Sequence, residues 1–140
     1  MKVHVEESLL LGAQPSKVFA VLADPRQHKH IMPDALVGYE LESDSVISFS
    51  LRLSNLTRKF RVRIEPVEEN KLLRECDMES GVLTEYRFLA HPDGTVVTIS
   101  TEYDTANSIS GFIEALSAPS ILKRLYHEKL IKLGRYVLTV

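Results

Sequence analysis

Residues 22–34, LADPRQHKHIMPD, place His28 and His30 between Asp24 and Asp34. Imidazoles and carboxylates so close together are the raw material of a metal site or an acid/base pair. A zinc site needs three or four ligands that converge. Two histidines two residues apart diverge by roughly 200° on a helix. His4, His91 and His127 are far away in sequence, and no HExxH or CxxC spacing occurs. The expectation is therefore no metal, and a polar loop capped by Asp24 and Asp34. Cys76 has no triad context; its alternation with Leu72 and Met78 reads as a small buried apolar residue. No phosphate-cradling glycine loop or GxSxG elbow is present, so no cofactor is expected. Asn55-Leu56-Thr57 matches a glycosylation acceptor, a pattern without meaning unless the chain is secreted.

Two other charges break the pattern of their strands. Glu7 shares an alternating face with Val3, Val5, Leu9 and Leu11, and Arg74 shares one with Leu72, Cys76 and Met78. If those faces point inward, each charge needs a partner, because a lone buried charge costs several kcal/mol. Either residue could then orient a ligand or do acid/base work. A bulge that shifts the register would instead send both to solvent.

The 140-residue length suits one domain, residues 1–140, large enough for a core without disulfides or metal. Lys and Arg number 17 against 19 Asp and Glu, a balance that argues against a dedicated DNA or membrane-surface binder. With one cysteine no intrachain disulfide forms, and a reducing compartment is expected. Glu6 and Glu7 interrupt any leader-like apolar run, and no stretch suits membrane insertion, so the expected location is cytoplasmic. The basic run RKFRVR, residues 58–63, could touch phosphates. Its alternation puts Phe60 and Val62 inward and Lys59, Arg61 and Arg63 on a solvated face, which leaves RNA or ribosome contact as the minority reading.

The elements that must position these groups follow from periodicity. Residues 3–11 alternate as a half-buried strand. Pro15 opens a short helix with Val18, Phe19 and Leu22, and Asp24-Pro25 ends it. A second short helix spans Arg26 to Ile31. Six strand signals follow: 37–41, 46–53, around 60–64, 72–78, 82–90 and 95–103. Short turns separate them, which predicts an antiparallel meander. After Asn107 the period becomes helical, through Ile109, Phe112, Ile113 and Leu116. It continues through Leu122, Tyr126, Leu130, Leu133 and Val137, with Pro119 expected to bend or break the helix. The class is α+β.

The stretch LLLGAQPSKVFAVLADPRQH resembles the opening of the START-related, polyketide cyclase/dehydrase-like (SRPBCC) helix-grip superfamily, through Ala13, Pro15, Val18, Phe19, Leu22, Asp24 and Pro25. PDGTVVTISTEY resembles its Gly-Thr hairpin, and SAPSILKRLYHEKLIKLGRYV its closing helix. Met32 stands near a position where the family often carries Trp, and this chain has no Trp. The resemblance implies a curved seven-stranded antiparallel sheet around a long C-terminal helix, two short helices after the first strand, and an apolar cavity with the His28/His30 loop at one mouth.

Inward-facing aromatic residues would line such a cavity: Phe49, Phe60, Tyr86, Phe88, Tyr103, Phe112 and Tyr126. Leu122 and Leu130 would add to the apolar wall, and Thr84, Thr101 and the tyrosine hydroxyls would supply polar fixtures. The same residues could equally form an ordinary solid core. The expected function is lipid-binding or similar uptake of a hydrophobic or amphipathic small molecule (lipid, polyketide or isoprenoid type). Two alternatives stay open. One is a cyclase- or dehydratase-like enzyme, with Glu7 or Arg74 as internal acid or base. The other is a protein- or ribosome-interaction module with a filled core.

Overall fold

The computed structural model describes residues 2–53, 56–104 and 119–140. The described residues form seven strands: β1 (Lys2–Leu11), β2 (Leu36–Leu41), β3 (Val46–Leu53), β4 (Leu56–Glu68), β5 (Leu72–Asp77), β6 (Leu83–His91) and β7 (Gly94–Asp104). Helix α1 (Pro15–Ala23) and a 3-10 helix (Pro25–His30) follow β1, and α2 (Pro119–Tyr136) closes the chain. The sheet is antiparallel throughout in the order β1-β7-β6-β5-β4-β3-β2. It is curved, and this is the expected helix-grip arrangement. Ile109, Phe112, Ile113, Leu116 and Asn55 lie outside the described residues.

Alternation carries the fold. On β7, Thr95, Val97, Ile99, Thr101 and Tyr103 are buried and the residues between them are not. On β4, Phe60, Val62 and Ile64 are buried, while Arg61 turns outward to Glu42 at 2.9 Å. The α2 stripe of Leu122, Tyr126, Leu130 and Leu133 is buried along its length, as is Val137 just past its end, and the helix packs most closely on β1. Pro119 is the first described residue of the helix. Asp24 caps the 3-10 helix by accepting from the Arg26 amide at 3.0 Å.

Among the described residues Asp34 caps no helix. Its carboxylate meets Lys132 Nζ at 2.5 Å, and Lys132 also donates to the Met32 carbonyl at 2.9 Å. His30 stacks on Tyr136, with ring centroids 4.7 Å apart. The segment after the 3-10 helix is thus fastened to α2.

Strand β5 corrects the expected phase. Leu73 and Asp77 are buried, whereas Leu72, Arg74 and Cys76 are half exposed and Met78 is exposed. The inward face is Leu73, Glu75 and Asp77. Arg74 therefore lies on the outer face, where its Nε donates to Glu85 at 3.0 Å across the strand pair. Cys76 is likewise an outer-face residue and not a buried core thiol. A register shift between Pro66 and Glu68 in the neighbouring strand accompanies this phase.

Candidate functional site

Three elements converge on the concave side of the sheet. Inward alternation on β5 brings Glu75 and Asp77, and on β6 it brings Thr84 and Tyr86. Positions 122, 126 and 129 of α2 bring Leu122, Tyr126 and Lys129, which share a helix face at spacings of four and three. With Phe49 and Leu51 of β3 and Phe60 and Val62 of β4, these residues surround a cavity of about 100 Å³. Pro33, Leu36, Val82 and Leu125 complete its wall. Phe49 and Phe60 stack with centroids 5.8 Å apart, giving one aromatic side.

The opposite side carries charge. Lys129 Nζ donates to Glu75 Oε2 at 3.2 Å and also to the Tyr86 hydroxyl. The Tyr86 hydroxyl and the Glu75 carboxylate thus share the Lys129 ammonium. All three side chains are nearly or fully removed from solvent. Burial alone would raise the Glu75 pKa, but the Lys129 ammonium and the hydrogen bonds outweigh it and hold the carboxyl below its ordinary value. Burial and the adjacent Glu75 charge push the Tyr86 phenol well up.

His28 lies behind this pair and is completely buried. Its Nε2 is 2.7 Å from the Leu22 carbonyl. A carbonyl only accepts, so Nε2 carries the proton and Nδ1 is the bare nitrogen. Among the described residues Nδ1 has no hydrogen-bond partner, and it sits 3.8 Å from Glu75 Oε2. Burial, reinforced by the Lys129 charge, lowers the imidazole to about 4, so His28 is neutral at physiological pH. It is a buried wall of the polar cluster and not part of an exposed loop at a cavity mouth. Among the described residues no three His, Cys, Asp or Glu side chains gather as metal ligands.

A second, uncharged knot adjoins the first. The Tyr126 hydroxyl contacts Thr101 Oγ1 and lies 3.3 Å from Thr84 Oγ1, and the two threonine hydroxyls are 2.9 Å apart. Burial raises Tyr126 to about 12. Asp77 reaches the cavity wall while its carboxylate accepts from the Glu79 amide at 3.1 Å and the Ser80 hydroxyl at 2.9 Å, closing the β5–β6 turn.

Of the residues expected to line a cavity, Phe49, Phe60, Thr84, Tyr86, Leu122 and Tyr126 do so. Thr101 stands behind Tyr126. Phe88 is buried but packs edge-on against Phe19 of α1, with centroids 5.4 Å apart. Leu130 is wholly buried in the core beyond the cavity. Thr101 and Tyr103 also border an open depression of about 540 Å³ that takes in Lys2, His4, Arg74 and Glu85. Glu7 faces α2 as expected, but at the β1 edge. There it lies 3.4 Å from His127 and 3.9 Å from Lys123, apart from the cavity. Glu75 and Lys129 were not anticipated from sequence. Lys129 falls seven residues after Leu122 and three after Tyr126, a spacing that places it on the buried stripe.

Comparison with known proteins agrees with this architecture. The family described as "Polyketide cyclase / dehydrase and lipid transport" matches residues 2–137. The KanY protein solution structure superposes with a TM-score of 0.83 at 23% identity, covering 98% of each chain. A Thermus thermophilus protein gives 0.78 at 16% identity, again over 98% of both chains. A norcoclaurine synthase from Thalictrum flavum, solved with a transition-state analogue, gives 0.74 at 15% identity over 99% of this chain and 96% of that one. No curated protein sequence matches. Among the described residues no helix is long and apolar enough to cross a membrane.

Proposed function

This chain belongs to the polyketide cyclase / dehydrase and lipid transport family, and from that premise we propose that it binds a hydrophobic or amphipathic small molecule between α2 and the sheet. One observation carries the reading: an apolar, aromatic-sided cavity retains the buried Lys129–Glu75–Tyr86 cluster in its wall. Pockets of this kind draw affinity from apolar burial and orientation from a few polar groups. Charges are costly to keep in such a place, and well-packed apolar residues often serve stability as well or better. A ligand that uses them accounts for their presence.

Binding is favoured over acid/base catalysis by the direction of the displaced titrations. A general acid or base works best with a pKa near the operating pH. Here Glu75 is pulled down, His28 is pulled down to about 4, and Tyr86 and Tyr126 are pushed up. Each of these groups moves away from neutrality. The cluster suits holding a ligand better than moving its protons.

The volume, about 100 Å³, is closer to cavities that take a single benzene ring than to the several hundred Å³ of drug-sized sites. Titration of the ¹⁵N-labelled protein with toluene tests the reading. Saturable shifts should gather at Leu122, Thr84 and Tyr86 and vanish in Leu122→Trp, which fills the space. Toluene that produces no saturable shift at the lining residues would refute it.

A further inference from the structure

We propose that the head group accepted by this cavity is an uncharged oxygen on a compact ring, as in an aryl ketone, aldehyde or phenol, and that carboxylates of the same size are excluded. This rests on the ligand-binding reading above and adds the chemistry of the ligand.

The argument is one of charge and donors. Among the described residues the cavity wall holds one ammonium, Lys129, against two carboxylates, Glu75 and Asp77. His28 behind them is neutral, and the remaining polar groups of the wall, Thr84, Tyr86 and Tyr126, are hydroxyls. Lys129 is already matched by Glu75 at 3.2 Å. An entering anion would meet no spare positive charge among the described residues and would have to dislodge Glu75, leaving that carboxylate buried and unpaired. An uncharged oxygen disturbs nothing. Lys129 has three N–H donors, of which Glu75 and Tyr86 take two. Among the described residues nothing takes the third, which is left for a carbonyl or phenolic oxygen. The Phe49–Phe60 stack and Leu122 then receive the ring's apolar body.

Three single-ring probes separate the possibilities, titrated at neutral pH and followed at the lining amides: toluene, and the equally sized acetophenone and benzoate. Acetophenone should bind about fivefold tighter than toluene, through one added hydrogen bond. Benzoate should bind at least about tenfold more weakly than acetophenone, because its charge is uncompensated. Benzoate binding as tightly as acetophenone, while toluene also binds, would overturn this inference and leave the binding reading standing. Failure of all three to bind would overturn both. The wild-type protein alone decides these outcomes. Glu75→Gln adds a gain-of-function arm, since it frees the Lys129 charge: benzoate should then gain on acetophenone by about tenfold. An unchanged ratio in folded Glu75→Gln would remove Glu75 from the selectivity.

Discussion

Lys129 Nζ lies 3.2 Å from Glu75 Oε2, tying the C-terminal helix to the middle of the sheet across 54 positions of sequence. Neither group is exposed, with 11% and 13% of their side-chain surfaces open to solvent. Each is tolerable inside only because the other is there.

Breaking this pair from one side should therefore cost more than removing it whole. Lys129→Met strands the Glu75 carboxylate, and a loss of about 3 kcal/mol is expected. Lys129→Met combined with Glu75→Leu removes both charges and should be more stable than Lys129→Met alone. Urea unfolding of the two singles and the double measures the coupling. Strict additivity would show that the pair has no energetic connection.

The neutral, buried His28 gives the fold an acid-sensitive component. Its imidazole titrates near 4 when folded, against 6.5 in the unfolded chain. Between those values the unfolded chain takes up a proton that the folded protein refuses, so folding weakens as pH falls. The contribution is complete above about pH 6.5 and is lost towards pH 4, amounting to about 3 kcal/mol. Glu75, held below its ordinary 4.5, extends the loss to still lower pH. His28→Gln retains a donor for the Leu22 carbonyl but cannot take the proton. Stability measured from pH 7 to 4.5 should fall less steeply in that variant than in the wild type.

Gly94 is fixed by a close approach. Its φ is 144°, and a Cβ there would stand 1.9 Å from the Leu11 carbonyl oxygen on the paired strand. Gly94→Ala must open the β1–β7 pairing where Leu11 faces Thr95. A loss of at least about 2 kcal/mol is expected, read as a lowered urea midpoint. An unshifted midpoint would contradict this packing.

The order of elements was readable because alternation and the change to helical period are strong signals over long segments, as in β7 and α2. The site was harder. On β5 alternation favours the phase of Leu72 and Cys76, which carries one charge, over that of Leu73, which carries Glu75 and Asp77, yet the fold turns the second phase inward. The choice decides whether Arg74 or Glu75 is internal. Lys129 was hidden by its type: a lysine on an amphipathic helix reads as solvent-facing, although its spacing from Leu122 and Tyr126 puts it on the buried face. His28 sits in a short 3-10 helix, where periodicity says nothing about burial. Phe88 pointed inward as expected, but the position of α1, which decides that Phe19 covers it, is a tertiary matter.

The phase of β5 yields the last prediction, because adjacent residues should behave oppositely. Arg74 has 38% of its side chain exposed and pairs with Glu85 on the outer face. Such pairs contribute little, so Arg74→Met should cost no more than about 1 kcal/mol and leave toluene and acetophenone binding unchanged. Tyr86→Phe acts on the inner face, one strand away. It removes the hydroxyl that accepts from Lys129, leaving a buried donor short of a partner at a cost of about 1–3 kcal/mol. It should also alter acetophenone affinity relative to toluene, since the Lys129 donor that meets the oxygen loses one of its anchors. Denaturant unfolding and the same amide titrations measure both variants. If Arg74→Met shifted ligand affinity and Tyr86→Phe did not, the inward face of β5 would be Leu72, Arg74 and Cys76 after all.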